Sequence, residues 1–93
     1  MARQNTIGSH KTTVSTTFGT TSICYHDTVV VSFSTSKITL NSGVWHTSTT
    51  KARMNQASRQ FGLGFSIFQR DFEWFVDYKN ETLPFYDGMQ LDR

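Results

Sequence analysis

Polar and apolar residues alternate with a period of two over much of this chain, the signature of strands with one wet face and one buried face. Thr12 to Phe18 is threonine-rich with strand propensity and ends at Gly19. Ser22 to His26 follows as a second strand, with Ile23 and Tyr25 on one side and Cys24 and His26 on the other. Thr28 to Phe33 carries Val29, Val30, Val31 and Phe33, and its odd positions are expected to share a face. Ser34-Thr35-Ser36 connects it to Lys37–Leu40, so these two strands read as a hairpin. Asn41-Ser42-Gly43 is turn chemistry, and Val44-Trp45-His46 has room for one more short strand.

The period then changes. Met54, Ala57 and Phe61 follow i, i+3, i+7 spacing, Thr50 extends the same stripe, and Gly62 stands where a helix-ending glycine belongs. With Thr47 or Ser48 as cap, this predicts one helix over about residues 48–61, lying on a sheet through that stripe. Lys51, Asn55, Ser58 and Arg59 are expected on the opposite, polar and basic face. From Leu63 the chain becomes aromatic. Phe65–Gln69 and Phe72–Tyr78 read as strands joined at Gln69-Arg70-Asp71, with Phe72, Trp74, Val76 and Tyr78 inward and Glu73 and Asp77 in water. Lys79–Thr82 reads as a loop, Pro84 confines the adjoining residues to an edge or a strand start, and Phe85–Leu91 reads as a last short strand or hairpin through Asp87-Gly88. The expected architecture is α+β, one helix on a mostly antiparallel β-sheet, in the order β-β-β-β-α-β-β-β.

Length adds that 93 residues make one domain, expected over 12–93, after a flexible segment over 1–11 in which Ile7 is the only large apolar side chain beyond Met1. Serine and threonine supply 24 residues, 21 of them before residue 51, a bias that favours β-structure or loops in the first half. Charge is divided unevenly: residues 1–70 hold seven Lys/Arg against Asp27 alone, whereas residues 71–93 hold two basic residues against six acids. The net +2 therefore hides a dipolar chain able to steer a charged partner if folding keeps the halves apart. No apolar run approaches the ~18 residues of a membrane span and no secretory leader is visible, so a cytoplasmic protein without membrane contact is expected.

Catalytic and metal chemistry find little support. One cysteine excludes an internal disulfide, and Cys24 and His26, even joined by His10 and His46, lack the paired knuckles of a structural zinc site. Cys24 with His46 and Asp27 or Asn41 carries no nucleophile signature. Glu73 and Asp77 would stand roughly 13 Å apart on a strand, too far for a glycosidase pair. Gly62-Leu63-Gly64 follows a helix, the reverse of a phosphate cradle, and Asn80-Glu81-Thr82 is an incidental glycosylation match. A non-enzymatic protein without cofactor or metal is expected. Binding remains: Lys51, Arg53, Asn55, Arg59 and Arg70 form the candidate contact surface for a protein partner or, alternatively, for DNA or RNA near stacking aromatics. Oligomeric state is left open.

The strings Ile38-Thr39-Leu40-Asn41-Ser42-Gly43-Val44-Trp45-His46-Thr47, Thr49 through Ser58, and Phe72-Glu73-Trp74-Phe75-Val76 resemble small accessory proteins of tailed bacteriophages over about residues 25–88. The resemblance implies a protein that binds and modulates or inhibits host machinery such as a defence, polymerase or nuclease complex. It carries over no catalytic residue.

Overall fold

The computed structural model describes residues 12–43 and 47–93. The expected strand at Val44–His46, the segment 1–11, and His10 and His46 as ligands lie outside the described residues. The elements are β1 (Thr12–Thr17), β2 (Thr20–Tyr25), β3 (Thr28–Phe33), β4 (Lys37–Leu40), α1 (Ser48–Phe61), β5 (Phe65–Arg70), β6 (Glu73–Tyr78), β7 (Glu81–Pro84) and β8 (Met89–Asp92). The α+β class and the order of four strands, one helix and further strands are as expected, with four strands after the helix rather than three because Glu81–Pro84 forms a strand of its own. The strands divide, however, between two antiparallel sheets: a five-stranded one ordered β1-β2-β3-β4-β8 and a three-stranded one ordered β5-β6-β7.

The division follows from turn lengths. Four connections are two-residue hairpins, Phe18-Gly19, His26-Asp27, Asp71-Phe72 and Lys79-Asn80, and all eight of these residues have positive φ. That is the mirror-image turn whose twist matches paired strands, so each hairpin pairs sequence neighbours tightly. The helix interrupts this run after β4, and β8 returns to complete the first sheet beside β4.

Both sheets and the helix contribute to one core. Ile23, Val31, Ile38, Leu40 and Leu91 enter it from the first sheet, Phe65, Ile67, Trp74 and Val76 from the second, and Met54 and Ala57 from α1. Phe61 is half-buried and its ring lies 5.0 Å from that of Phe33, which completes the expected apolar stripe. Thr47 caps the helix by accepting a hydrogen bond from the Thr50 N–H at 3.2 Å. At the other end Gly62 has φ 63°, a left-handed conformation that costs glycine little, and the Leu63 N–H closes back on the Ser58 carbonyl at 2.9 Å.

Several local expectations are corrected. The first strand stops at Thr17 and the second starts at Thr20, because Phe18-Gly19 forms the turn. Val29 is exposed rather than inward: a register shift between Ile23 and Cys24 leaves Val30 as an extra residue, so Val30 and Val31 are both buried. A β-bulge of this kind breaks strict alternation by inserting one residue on one strand. His26 sits in a turn and not on the strand face of Cys24. The expected loop at Lys79–Thr82 is a tight turn leading directly into β7. Trp74 and Val76 are buried and Glu73 and Asp77 exposed, as the alternation requires, whereas Phe72 falls in the hairpin turn and points into solvent.

Candidate contact surface

The polar residues of α1 do not form one open face. Ser58 is buried and lies against β5, where its hydroxyl donates to the Phe65 carbonyl at 2.6 Å and accepts from the Phe65 N–H at 3.0 Å. Asn55 does the same one turn away: its amide nitrogen donates to the Ile67 carbonyl at 2.9 Å and its amide oxygen accepts from the Ile67 N–H at 2.7 Å. A primary amide carries one acceptor and donors in the geometry of a peptide group, so Asn55 pairs with Ile67 as a neighbouring strand would. Asn55 and Ser58 thus satisfy the backbone of β5, and their expected placement on a solvent-facing helix surface is corrected to positions that fix the helix on the sheet edge.

The cations divide accordingly. Arg53 turns toward the first sheet, where its Nε donates to Thr12 Oγ1 at 2.9 Å, its Nη1 donates to Gln56 Oε1 at 3.2 Å, and its guanidinium stands 5.7 Å from the Tyr25 ring centre. That arrangement holds the start of β1 against the helix and leaves Arg53 less able to reach a partner. Lys51 and Arg59 share the line of Asn55 at four-residue spacing and are half-buried. From Ser58 to Asn55 the helix moves back as β5 moves forward from Phe65 to Ile67. One further helical turn, about 6 Å, against two strand residues, about 6.6 Å, sets Lys51 level with Gln69. Arg70 is exposed at the end of β5, its guanidinium 5.7 Å from the Phe68 ring centre. The structure therefore brings Lys51 and Arg70 to one end of α1 and β5, separates Arg59 toward the other end, and sends Arg53 elsewhere.

Two residues beyond Arg70 stands a residue that the alternation assigned to the core. Phe72 is 95% exposed and has φ 68°, a left-handed conformation that non-glycine residues adopt at a cost of roughly 1–2 kcal/mol. Phe18 repeats the arrangement at the β1–β2 turn, 101% exposed with φ 51°. The signal in the sequence was the turn chemistry of Asp71 and Gly19 beside each phenylalanine, outweighed at Phe72 by the aromatic alternation and at Phe18 by the strand propensity of the threonine-rich stretch before it.

Elsewhere, a cavity of about 370 Å³ lies between the β2–β3 turn and the start of α1, lined by Tyr25, His26, Thr47 and Thr50. Among the described residues no group of three or more His, Cys, Asp or Glu side chains could hold a metal ion. Cys24 is a free, half-buried thiol. Asp87, in the turn before β8, accepts from both the N–H and the hydroxyl of Ser42, at 2.8 and 2.7 Å, and so ties the loop after β4 to that turn. No described helix is long and apolar enough to cross a membrane.

Fold and surface together define a small α+β protein of two antiparallel sheets and one helix, with a split set of cations and two exposed phenylalanines at its turns. The sequence model of the Kyanoviridae Gp96 protein matches residues 1–92, and the chain belongs to that family of phage proteins. The resemblance to tailed-phage proteins is thus substantiated over nearly the whole chain. No curated protein and no solved structure matches it.

Proposed function

We propose that this phage protein is a non-enzymatic binder that acts in the host cytoplasm by engaging a host protein complex. Its contact surface is the end of α1 and β5 that carries Lys51, Arg70 and Phe72, with Arg59 further along the same line and Arg53 as a flank. The observation that carries this reading is Phe72: a large aromatic group fully in water, on a backbone conformation that penalises it, two residues along the chain from the exposed Arg70. A fold gains nothing from such a residue, since glycine or asparagine would make the same turn with less strain. Aromatic residues and arginine are also the residue types that dominate binding energy where they are buried by a partner.

The same pairing of exposed aromatic ring and cations is what single-stranded nucleic acid requires for stacking and phosphate contact, and it keeps direct DNA or RNA binding as the second reading. Affinity capture from host lysate, with and without nuclease, separates the two. A proteinaceous target survives nuclease; a nucleic target does not. With the target in hand, a salt titration gives a steep log–log loss of affinity for a phosphate-bound complex and a shallower one for a protein contact. Phe72→Gly and the double change Lys51→Glu, Arg70→Glu are each expected to weaken target binding by at least about tenfold, roughly 1.4 kcal/mol. Unchanged binding by both variants, with the fold intact, removes this surface from consideration.

A further inference from the structure

A sheet edge exposes a row of unpaired N–H and C=O groups, and proteins blunt such edges with charge, proline, brevity or a covering element. Among the described residues the two sheets have four outer edges, and three are blunted. Asn55 and Ser58 of α1 occupy the backbone of β5. β7 has four residues, begins with the charged Glu81 and ends with Pro84. β8 also has four residues, and the carbonyl of Asp92 at its end accepts from the Tyr78 hydroxyl at 2.9 Å and from Lys79 Nζ at 2.8 Å.

Among the described residues, β1 carries none of these devices from Thr13 to Thr17, and at Thr12 the hydroxyl is held by Arg53 of α1. It is six residues long, Thr-Thr-Val-Ser-Thr-Thr, with no charge and no proline, pairs with β2 without a register shift, and is exposed from Thr13 to Thr17. We propose that β1 is a self-association edge: two copies of this chain pair β1 with β1, antiparallel, across a two-fold axis at Val14, and join their larger sheets into one of ten strands.

The hairpin geometry fixes the register. A two-residue turn makes Thr17 and Thr20 a mutually bonded pair, so Thr13, Ser15 and Thr17 direct their backbone groups toward β2. Val14 and Thr16 direct theirs toward the open edge. A two-fold axis perpendicular to the sheet keeps the core sides of both copies on one side, so each residue meets one of the same parity. Centring on Val14 sets Thr12 opposite Thr16, Thr13 opposite Ser15, and Val14 opposite itself.

The occupant is a second copy because the strand is nearly palindromic and neutral, so like meets like without repulsion, and threonine and valine are favourable cross-strand neighbours. Val14 shares the sheet face of its buried partner Ile23 yet is 44% exposed, and no described strand flanks it on the open side; its own copy would cover it. Two residues beyond the paired segment, the exposed Phe18 of each copy extends to the far end of the other's edge. There Arg53 packs over Tyr25, and the cavity lined by Tyr25, His26, Thr47 and Thr50 opens. An interface of this size belongs to the small, transient class.

Sedimentation equilibrium of the full chain from about 5 to 500 µM spans the range such a weak dimer populates. The wild type is expected to shift from monomer to dimer across it. Val14→Lys and Val14→Glu, each of which sets like charges together at the axis, are expected to weaken self-association at least about tenfold singly. An equimolar mixture of the two is expected to restore it, since only the mixed pair is complementary. Far-UV circular dichroism and the urea midpoint verify that each variant is folded. Should the charged variants fail to fold, Thr16→Pro removes an outward N–H while sparing the β2 ladder, and is expected to be monomeric. A wild type monomeric throughout, a folded Val14→Lys or Thr16→Pro that associates like wild type, or a mixture of charged variants that stays monomeric overturns the proposal.

Discussion

The β1–β2 and β5–β6 hairpins are built alike at their turns and differently along their outer strands. Both close through two residues of positive φ, and both present a phenylalanine to solvent there. Along β5, Phe65 and Ile67 are buried, and two helix side chains bond the backbone of these same residues. Along β1 five of six residues are exposed, and the bond from α1 goes to the Thr12 side chain rather than to the backbone of the strand. The difference shows that a mirror-image turn specifies which strands pair but not whether the resulting pair becomes interior. That depends on whether another element supplies both an apolar layer and donors and acceptors for the free edge.

Cutting equivalent apolar side chains exposes this contrast most strongly. Ile67 is buried against the core, so Ile67→Ala is expected to lower unfolding stability by about 2–5 kcal/mol, whereas Val14→Ala should cost less than about 1 kcal/mol. Urea denaturation of both variants below the concentration of any self-association measures the gap, and equal losses would erase the distinction between the hairpins. Next in size, Asn55→Ala deprives the Ile67 N–H and C=O of their partners and is expected to cost about 1–3 kcal/mol. Amide hydrogen exchange should then accelerate at Ile67 while leaving β1–β2 unchanged.

The turns sharpen the comparison in the opposite direction. Phe72→Gly creates Asp-Gly at a mirror-image turn and is expected to stabilise the fold by about 0.5–1 kcal/mol, with a rise in the thermal midpoint, while weakening target binding. A loss of stability would mean that Phe72 packs in solution and is not held out for a partner.

The smallest effect lies at the far side of the larger sheet. The Lys37 Nζ donates to Asp92 Oδ1 at 2.6 Å, and that bond, followed by the Lys37 charge, lowers the Asp92 pKa below its ordinary 3.8. A depressed carboxylate pKa contributes stability above the unfolded value and loses it as pH falls through the folded one. Asp92→Asn should therefore differ from wild type at neutral pH, and the difference should vanish under acid below the lowered pKa. Both side chains are largely exposed, so salt should diminish the effect as well.

Much of this was legible in the chain itself. The helix over Ser48–Phe61, its buried stripe at Thr50, Met54 and Ala57, and the strands Thr28–Phe33 and Lys37–Leu40 follow from residue spacing and caps, which are local and repeat within a few residues. The alternation that predicted Trp74 and Val76 inside also put Phe72 there, because a period of two does not record where a strand ends and its turn begins. The return of β8 beside β4 and the partition into two sheets arise from pairings between distant segments, and the bulge at Val30 from a register shift within the β2–β3 hairpin; a strict period of two encodes none of these. Lys51, Arg53, Asn55, Ser58 and Arg59 were legible as polar helix positions, but the partners of Arg53, Asn55 and Ser58 lie on β1 and β5. Whether a polar side chain meets water or a free strand edge depends on which backbone groups the fold has left unpaired, and that is decided only when the sheets assemble against the helix.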